Sequence, residues 1–153
     1  MGMRRIFFQY IKCHIIFDVK MGGNFRRKAR MVAGGHMTET PSSITYSSVV
    51  SRDSVRIAFL YAALNGLKVF ACDIQNAYLT EKCREKVWYR AGPEFGADEG
   101  KIMLITRALY GLKSSGAAFR SLFADYVCKI GFRPSPADND VWLRPAIKPD
   151  RTR

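Results

Sequence analysis

The sequence predicts an α+β fold, in which strands and helices are mixed without strict alternation. Short apolar, β-branched runs are separated by Gly-, Pro- and Asn-rich turns, which is typical of strands. Two longer segments repeat apolar residues at three- and four-residue steps, which is typical of helices. With 153 residues and 48% hydrophobic content, the chain is long and apolar enough to form one domain rather than a disordered segment.

The first elements form a predicted hairpin. Residues 14–19 (HIIFDV) are apolar and β-branched, and residues 25–33 (FRRKARMVA) read as a second strand with its charge on one side. Gly22-Gly23-Asn24 between them is a turn signal. Residues 36–50 are predicted to be irregular.

A helix is predicted next, with Ser51 or Asp53 as its N-cap and an end near Asn65, where Gly66 supplies a stop. The apolar stripe expected on it consists of Val55, Ala58, Phe59, Ala62 and Ala63.

Three strands and a second helix follow. Residues 68–73 (KVFACD) predict a buried strand that ends on a carboxylate, and residues 86–90 and 101–106 predict two more strands, with the turn-rich AGPEFGADEG between them. Residues 115–130 repeat apolar side chains at helical spacing up to Gly131. The apolar positions of this helix are Ala118, Phe119, Leu122, Phe123, Tyr126, Val127 and Ile130. A last short strand is predicted at residues 140–144, before a polar tail.

The charge of the chain suggests an anionic partner. It has 25 Lys and Arg against 13 Asp and Glu, a net charge of +12, and nucleic acid is the usual partner of such a protein. A solvated basic surface without a specific partner is the alternative.

The spacing of the four cysteines and the length of the apolar runs indicate the cellular compartment of the protein. Cys13, Cys72, Cys83 and Cys128 are widely spaced, which fits neither a zinc site nor a disulfide scaffold, so we expect reduced thiols. No apolar run reaches the roughly 18 residues that a membrane span needs. We therefore expect an intracellular protein, cytoplasmic or nuclear, with no signal peptide, no transmembrane segment and no membrane partner.

Three segments carry a resemblance to a known family. They are residues 27–35 (RKARMVAGG), residues 69–79 (VFACDIQNAYL) and residues 107–116 (RALYGLKSSG). In this order and spacing they resemble the fingers motif, the first palm motif and the Ala-Leu-Tyr-Gly-Leu-Lys-Gln motif of copia-type retrotransposon reverse transcriptases, which are RNA-directed DNA polymerases. The resemblance covers roughly residues 14 to 145.

The resemblance implies a single partial polymerase domain over residues 1–153. Residues 14–50 would be fingers-like, residues 51–145 palm-like and residues 146–153 a tail. The fold would be an antiparallel sheet packed on helices, with an incomplete palm. The implied partners are an RNA or DNA template-primer, deoxynucleotides and a complementary polyprotein segment.

The resemblance makes Asp73 the first catalytic aspartate. Nucleotidyl transfer in the family uses two divalent ions roughly 4 Å apart, Mg²⁺ or Mn²⁺, which need hard oxygen ligands such as carboxylates. The backbone carbonyl of Ile74 is implied as a further ligand. The alternative for Asp73 is a strand-end residue that caps the next turn.

Nucleotide-binding roles are implied on both sides of Asp73. Lys28 and Arg30 alternate on the proposed fingers strand, so they share one face, where two cations suit a triphosphate. An exposed basic edge strand is the alternative. Tyr78 would lie under the incoming sugar and exclude a 2′-hydroxyl, with Asn76 and Ala77 beside it. A core aromatic with its hydroxyl at the surface is the alternative for Tyr78.

The third motif is implied to line the template side of the pocket through Gly111, Leu112 and Lys113. Ser114 stands where the family commonly has Gln, which puts a contact at that position in doubt.

The second catalytic motif of the family, Tyr-x-Asp-Asp, has no counterpart in this sequence. Asp138 and Asp140 fall before its expected place and read as turn and strand-start residues. One carboxylate cannot hold two metal ions, so we expect a truncated chain that does not polymerise alone and does not bind Mg²⁺ tightly. The strand ending at Asp73 would also have an open edge, and we expect marginal stability.

Two other readings remain open. The chain could be a non-catalytic basic protein that binds nucleic acid through its phosphates, with strong salt dependence and little sequence preference. It could also be a relic of a decayed transposon.

Overall fold

The computed structural model of the chain describes residues 7–20, 25–41 and 45–146. The predicted turn at residues 22–24 and nearly all of the predicted tail lie outside these ranges. The described residues combine small sheets with few helices, in agreement with the predicted α+β class.

The described ranges contain nine strands and α-helices in order along the chain. They are β1 (Gln9–Tyr10), β2 (Cys13–Lys20), β3 (Arg26–Ala33), α1 (Arg52–Leu64), β4 (Val87–Arg90), β5 (Ile102–Leu104), α2 (Ser115–Lys129), β6 (Arg133–Pro134) and β7 (Trp142–Leu143). Three short 3₁₀ helices lie between them, at Gly35–Met37, Ala77–Thr80 and Pro93–Asp98.

The described residues form two units. The first contains the described residues up to Tyr46 together with Asn76–Phe119, and the second contains Ser47–Gln75 and the described residues from Arg120 onward. The predicted fingers-like and palm-like division at residue 50 stays a prediction.

The first unit is built on a three-stranded sheet in the order β1-β4-β5. β1 runs parallel to β4, and β4 runs antiparallel to β5. Apolar side chains from this sheet and the neighbouring loops form the core, because they are the ones removed from water. The buried core consists of Ile11, Ala33, Val87, Tyr89, Ile105 and Leu112.

The predicted hairpin is confirmed in the same unit. β2 and β3 pair antiparallel over their whole length, from Cys13 opposite Ala33 to Lys20 opposite Arg26. Only the end that carries Cys13 and Ala33 approaches the core, and most side chains further out are exposed.

The first predicted helix is also confirmed, with α1 in the second unit. Ser51 is its N-cap, since its hydroxyl accepts a hydrogen bond of 3.0 Å from the backbone N–H of Ser54. Gly66, at φ +60°, follows its end, as the stop signal predicted. The expected apolar stripe is not a buried face, because Ala62 alone among its members is buried.

The predicted strand at residues 68–73 is wrong. This segment is extended but forms no ladder, and Phe70 is 87% exposed. A strand exists through hydrogen bonds to a neighbouring strand, and no described strand of the second unit pairs with this segment. The buried position and the open strand edge expected at Asp73 are therefore wrong as well.

The last helix and strand lie where they were predicted, with shorter bounds for the strand. α2 ends at Lys129, just before Gly131 at φ +94°, and β7 covers only Trp142 and Leu143. The apolar stripe of α2 is half solvent-facing, since Tyr126 and Ile130 are each 61% exposed.

The cysteines are free thiols, as expected. Burial raises the pKa of Cys13 to about 11 and also raises the pKa of Cys83, so both stay protonated and unreactive near neutral pH.

Within the described ranges, none of the helices has the length and apolar character required to cross a membrane.

Candidate functional site

The residues implicated by the sequence are divided between the two units. Asp73 and Ile74 belong to the second unit. The others belong to the first unit, and they are Lys28, Arg30, Asn76, Ala77, Tyr78, Gly111, Leu112 and Lys113.

The carboxylate of Asp73 lies on the solvent-exposed segment that follows α1. Its neighbour Ile74 is 46% exposed. Within the described ranges, no three His, Cys, Asp or Glu side chains are placed to hold a metal ion together. A two-metal centre needs several oxygen ligands, so these residues do not fit one by themselves.

The basic residues of β3 share one face of the hairpin, as the two-residue period predicted. The register places Lys28 opposite Asp18, Arg30 opposite Ile16, and Arg26 opposite Lys20. Because side chains two residues apart and directly opposite pairs point the same way, four cations and one carboxylate occupy this face. The arrangement can bind phosphate groups through Arg forks and Lys point charges.

Tyr78 lies on the 3₁₀ helix Ala77–Thr80, which begins after Asn76. Asn76 has φ +52° and ψ 36°, a left-handed conformation that Asn tolerates better than most residues. The ring of Tyr78 is half buried and makes edge contacts with Tyr110, at 4.7 Å between centroids, and with Phe119, at 6.2 Å.

The first and third motifs meet through their backbones. The N–H of Ala33 donates a 2.8 Å hydrogen bond to the carbonyl of Tyr110, and Val32 bridges Tyr110 in parallel. A Cβ at Gly111, which has φ +91°, would lie 2.0 Å from the Ala33 oxygen, and a Cβ at Gly35 would lie 2.2 Å from the Gly111 oxygen. The crossing therefore requires glycine at both positions.

The two residues after Gly111 have partners inside the first unit. Leu112 is 6% exposed and belongs to the core, whereas the ammonium of Lys113 donates a hydrogen bond to the Thr38 carbonyl. Leu112 is thus buried and Lys113 is half-buried, and their role at the template side stays a prediction.

Glu85 is a buried carboxylate that sequence reasoning missed. Its Oε1 accepts hydrogen bonds from both the backbone N–H and the hydroxyl of Ser114, each 2.9 Å long. Ser114 is the N-cap of α2, since its carbonyl accepts from Ala118 N. The Glu85 oxygen therefore accepts hydrogen bonds at the N-terminus of the helix, where the helix dipole favours an acceptor. The sequence indicates that Ser114 could cap the helix, because serine is common at N-caps. No local pattern indicates that Glu85 is its partner.

Asp138 begins a turn, as predicted, whereas Asp140 lies in that turn and is not the predicted strand start, because β7 begins at Trp142. Asp138 accepts a hydrogen bond from Asp140 N at 3.0 Å, and its other oxygen accepts from Ser54 Oγ at 2.6 Å and from Ser51 N at 3.0 Å. The Ser54 hydroxyl, then these backbone donors, lower the pKa of Asp138 to about 2. Asp140 in turn pairs with Arg120 at 2.9 Å.

The chain is similar to one protein family and to several transposon polyproteins. The family described as Reverse transcriptase (RNA-dependent DNA polymerase) matches residues 7–148. The Gag-Pol polyproteins of transposons Ty1-LR2, Ty1-ML2 and Ty1-ER1 of Saccharomyces cerevisiae are each 31% identical to it over 121 residues. That stretch is 78% of this chain and 7% of each polyprotein, so the chain spans a small part of these relatives. No solved structure matches it.

The family match covers nearly the whole chain, including the hairpin, the exposed Asp73 segment and the glycine crossing, and the chain therefore belongs to the copia-type reverse transcriptase family of retrotransposons.

Proposed function

We propose that the chain forms the fingers and the first part of the palm of a retrotransposon RNA-directed DNA polymerase. The observation that carries this is the backbone crossing in the first unit, which joins the first motif to the third and sets Tyr110 against Tyr78. In this proposal residues 14–50 are fingers-like and residues 51–145 palm-like.

The first unit supplies nucleotide contacts. Lys28 and Arg30 lie on one face of a projecting hairpin, where they bind the triphosphate of an incoming deoxynucleotide. Tyr78 faces the sugar, with Asn76 and Ala77 shaping the turn before it. Gly111, Leu112 and Lys113, next to the crossing, line the template side of the pocket in this proposal.

The second unit supplies one carboxylate. Asp73, with the carbonyl of Ile74, is one of several ligands for the Mg²⁺ or Mn²⁺ ions used by the intact family. Since the described residues do not complete a metal site, the remaining ligands come from a complementary polyprotein segment. The template-primer and deoxynucleotides are the substrates of that assembly.

Primer extension tests the proposal in two steps. The purified chain, given an RNA template with a DNA primer, deoxynucleotides and Mg²⁺, is expected to show no extension above background, because one carboxylate cannot hold two ions. If the chain alone extends the primer and Asp73→Ala abolishes that extension, the metal site is complete without a further segment and the proposal is wrong.

A chimera tests the role of Asp73 directly. Residues 14–145 replace the matching segment of an active Ty1 polymerase, and Asp73→Asn is compared with Asp53→Asn, an exposed carboxylate on α1 that pairs with Arg56 at 3.5 Å. We expect loss of extension by a factor of about 10³ or more for Asp73→Asn only, since neutralising a metal ligand removes transition-state stabilisation. An active chimera in which both variants behave alike contradicts the proposal.

A second function is favoured by the charge of the hairpin. Lys20, Arg26, Lys28 and Arg30 project on one face, so this element can bind the phosphates of a template strand without reading its sequence. Binding of this kind needs no metal ion and no second unit.

A further inference from the structure

Tyr110 connects the two groups of nucleotide contacts proposed for the first unit. Its backbone is bonded to the end of β3, the strand that carries Lys28 and Arg30, and its ring contacts Tyr78. No nucleotide role was assigned to Tyr110 from the sequence.

The backbone around Tyr110 is fixed on both sides. Its own carbonyl accepts from Ala33 N at 2.8 Å, and the preceding carbonyl, of Leu109, accepts from the buried hydroxyl of Ser115 at 2.7 Å. The following residue is Gly111, whose contact with the Ala33 carbonyl leaves no space for a Cβ. The backbone of Tyr110 is therefore fixed, and so is the point from which its side chain extends.

Tyr78 stands on a short surface element. The 3₁₀ helix Ala77–Thr80 contains no buried residue. Hydrogen bonds hold its backbone, from Leu79 N to the Asn76 carbonyl at 2.9 Å, from Glu81 N to the Tyr78 carbonyl at 3.1 Å and from Arg107 to the Thr80 carbonyl at 3.2 Å, but they do not fix the Tyr78 ring. Short 3₁₀ segments have poor hydrogen-bond geometry, so they fix a side chain weakly. The orientation of the Tyr78 ring consequently depends on the aromatic rings that it touches.

The contact with Tyr110 is the closer of the two aromatic contacts. The ring centroids lie 4.7 Å apart at an interplanar angle of 60°, against 6.2 Å and 74° for Phe119. Edge-to-face pairs in this range add stabilisation beyond burial alone.

We propose that Tyr110 is a positioning residue that sets the ring of Tyr78 relative to β3, and thereby the discrimination between deoxynucleotides and ribonucleotides. The part of this inference that concerns nucleotide discrimination rests on the proposed function. The ring contact itself is independent of it, so the two can be tested separately.

The ring contact is tested on the full chain labelled with 3-fluorotyrosine. The sequence has seven tyrosines, and the Tyr78 resonance is assigned by its loss in Tyr78→Phe. Tyr110→Leu is expected to move the Tyr78 resonance by more than its linewidth and to increase its solvent isotope shift. Tyr110→Phe keeps the ring and should leave both unchanged.

Tyr126→Leu is the matched control. Tyr126 is 61% exposed on α2 in the second unit and has Lys129 over its ring, so its loss should not affect Tyr78. The resonance of Tyr89, in the core, reports whether each variant is folded. A folded Tyr110→Leu variant with an unmoved Tyr78 resonance overturns the inference.

A measurement without substitution covers the case in which Tyr110→Leu fails to fold. In the unsubstituted chain, nuclear Overhauser effects between the ring protons of Tyr78 and Tyr110 are expected. Their absence from a spectrum that shows the neighbouring core contacts contradicts the inference.

Nucleotide discrimination is read from titrations of dUTP and UTP with Mg²⁺, followed at the Tyr78 resonance. We expect the ratio of the two dissociation constants to fall about two- to tenfold in Tyr110→Leu, the range that an aromatic pair supplies, and to recover in Tyr110→Phe. An unchanged ratio in the folded variant overturns the specificity role. If neither nucleotide moves Tyr78 in the unsubstituted chain, the proposed function of Tyr78 fails, and the specificity role fails with it.

Discussion

Gly111 and Gly35 are two residues of the first unit at which an added side chain would collide with the backbone. The backbone of each glycine lies so close to the backbone of the other motif that no space is left for a Cβ atom. The two glycines are separated widely in sequence, so their pairing is a property of the folded chain and not of either motif alone.

Gly111→Ala is expected to destabilise the chain by about 2 to 4 kcal/mol, which combines the cost of a positive φ with that of a steric overlap. Gly100→Ala is the matched control, because Gly100 has φ +78° but nothing within 4 Å of an added Cβ. Urea unfolding of both variants measures the difference. Equal losses would show that backbone strain, and not the crossing, sets the cost.

Asp138 is expected to make the stability of the second unit pH-dependent in acid. Its pKa of about 2 in the folded chain lies below its ordinary value of 3.8, so its contribution is fully present above about pH 4. That contribution is lost as the pH falls from about 4 through 2, when the carboxylate takes up a proton and its bonds to Ser51 and Ser54 weaken.

Asp138→Asn should therefore flatten the dependence of the unfolding midpoint on pH between 4 and 2. Asp125→Asn, at an exposed position on α2, is the control for the loss of one carboxylate. Urea titrations at several pH values provide the measurement, and an identical slope in Asp138→Asn and the unsubstituted chain would argue against the linkage.

At the scale of elements, the sequence predicted most of what local chemistry determines. The hairpin follows from alternation, α1 from Ser51 and Gly66, and α2 from its apolar repeat. The strand predicted at residues 68–73 failed because a strand needs a partner, which apolar content cannot guarantee. For the same reason, apolar spacing placed α1 correctly but did not reveal that Ala62 is its one buried residue.

For the candidate site, the two-residue alternation of a strand correctly placed Lys28 and Arg30 on one face of the hairpin. The roles of Tyr78 and Gly111, which come from motif order, stay predictions. The crossing of Gly35 with Gly111 depends on tertiary contacts, and so does the bond between Glu85 and Ser114. Such contacts join residues far apart in sequence and leave no local pattern.

The charged face of the hairpin is expected to dominate nucleic-acid binding. Replacing Lys28 and Arg30 together by Glu should weaken binding to single-stranded RNA and reduce the slope of log K against log salt by roughly one for each cation lost. Replacing Lys68 and Lys129, two exposed lysines away from the hairpin, together by Glu is the control, because it changes the net charge by the same amount. Fluorescence anisotropy over a range of salt concentrations gives the slope, and a slope shared by both variants would place the binding surface elsewhere.

At the scale of the whole molecule, much apolar surface faces solvent. In the second unit, Leu64 is 77% exposed, Leu67 50%, Val69 57% and Phe70 87%. A large apolar patch on a protein marks an interaction surface or a tendency to aggregate. The chain alone is therefore expected to be only marginally stable.

Self-association should make the melting midpoint depend on protein concentration. Phe70→Lys is expected to reduce association in sedimentation velocity, whereas Ser121→Lys, at an exposed position on α2, adds the same charge without removing apolar surface. A sharp, cooperative melt at a midpoint independent of concentration would contradict this expectation.

The glycine crossing also has a consequence for the order in which the chain folds during synthesis. β2 and β3 are translated before the third motif, and the hydrogen bond that anchors the end of β3 cannot form until Tyr110 has been synthesised. An isolated two-stranded ribbon is only marginally stable in water. Until the third motif has been translated, the basic hairpin is an unanchored segment, and a nascent chain stalled before Tyr110 should expose it to proteases.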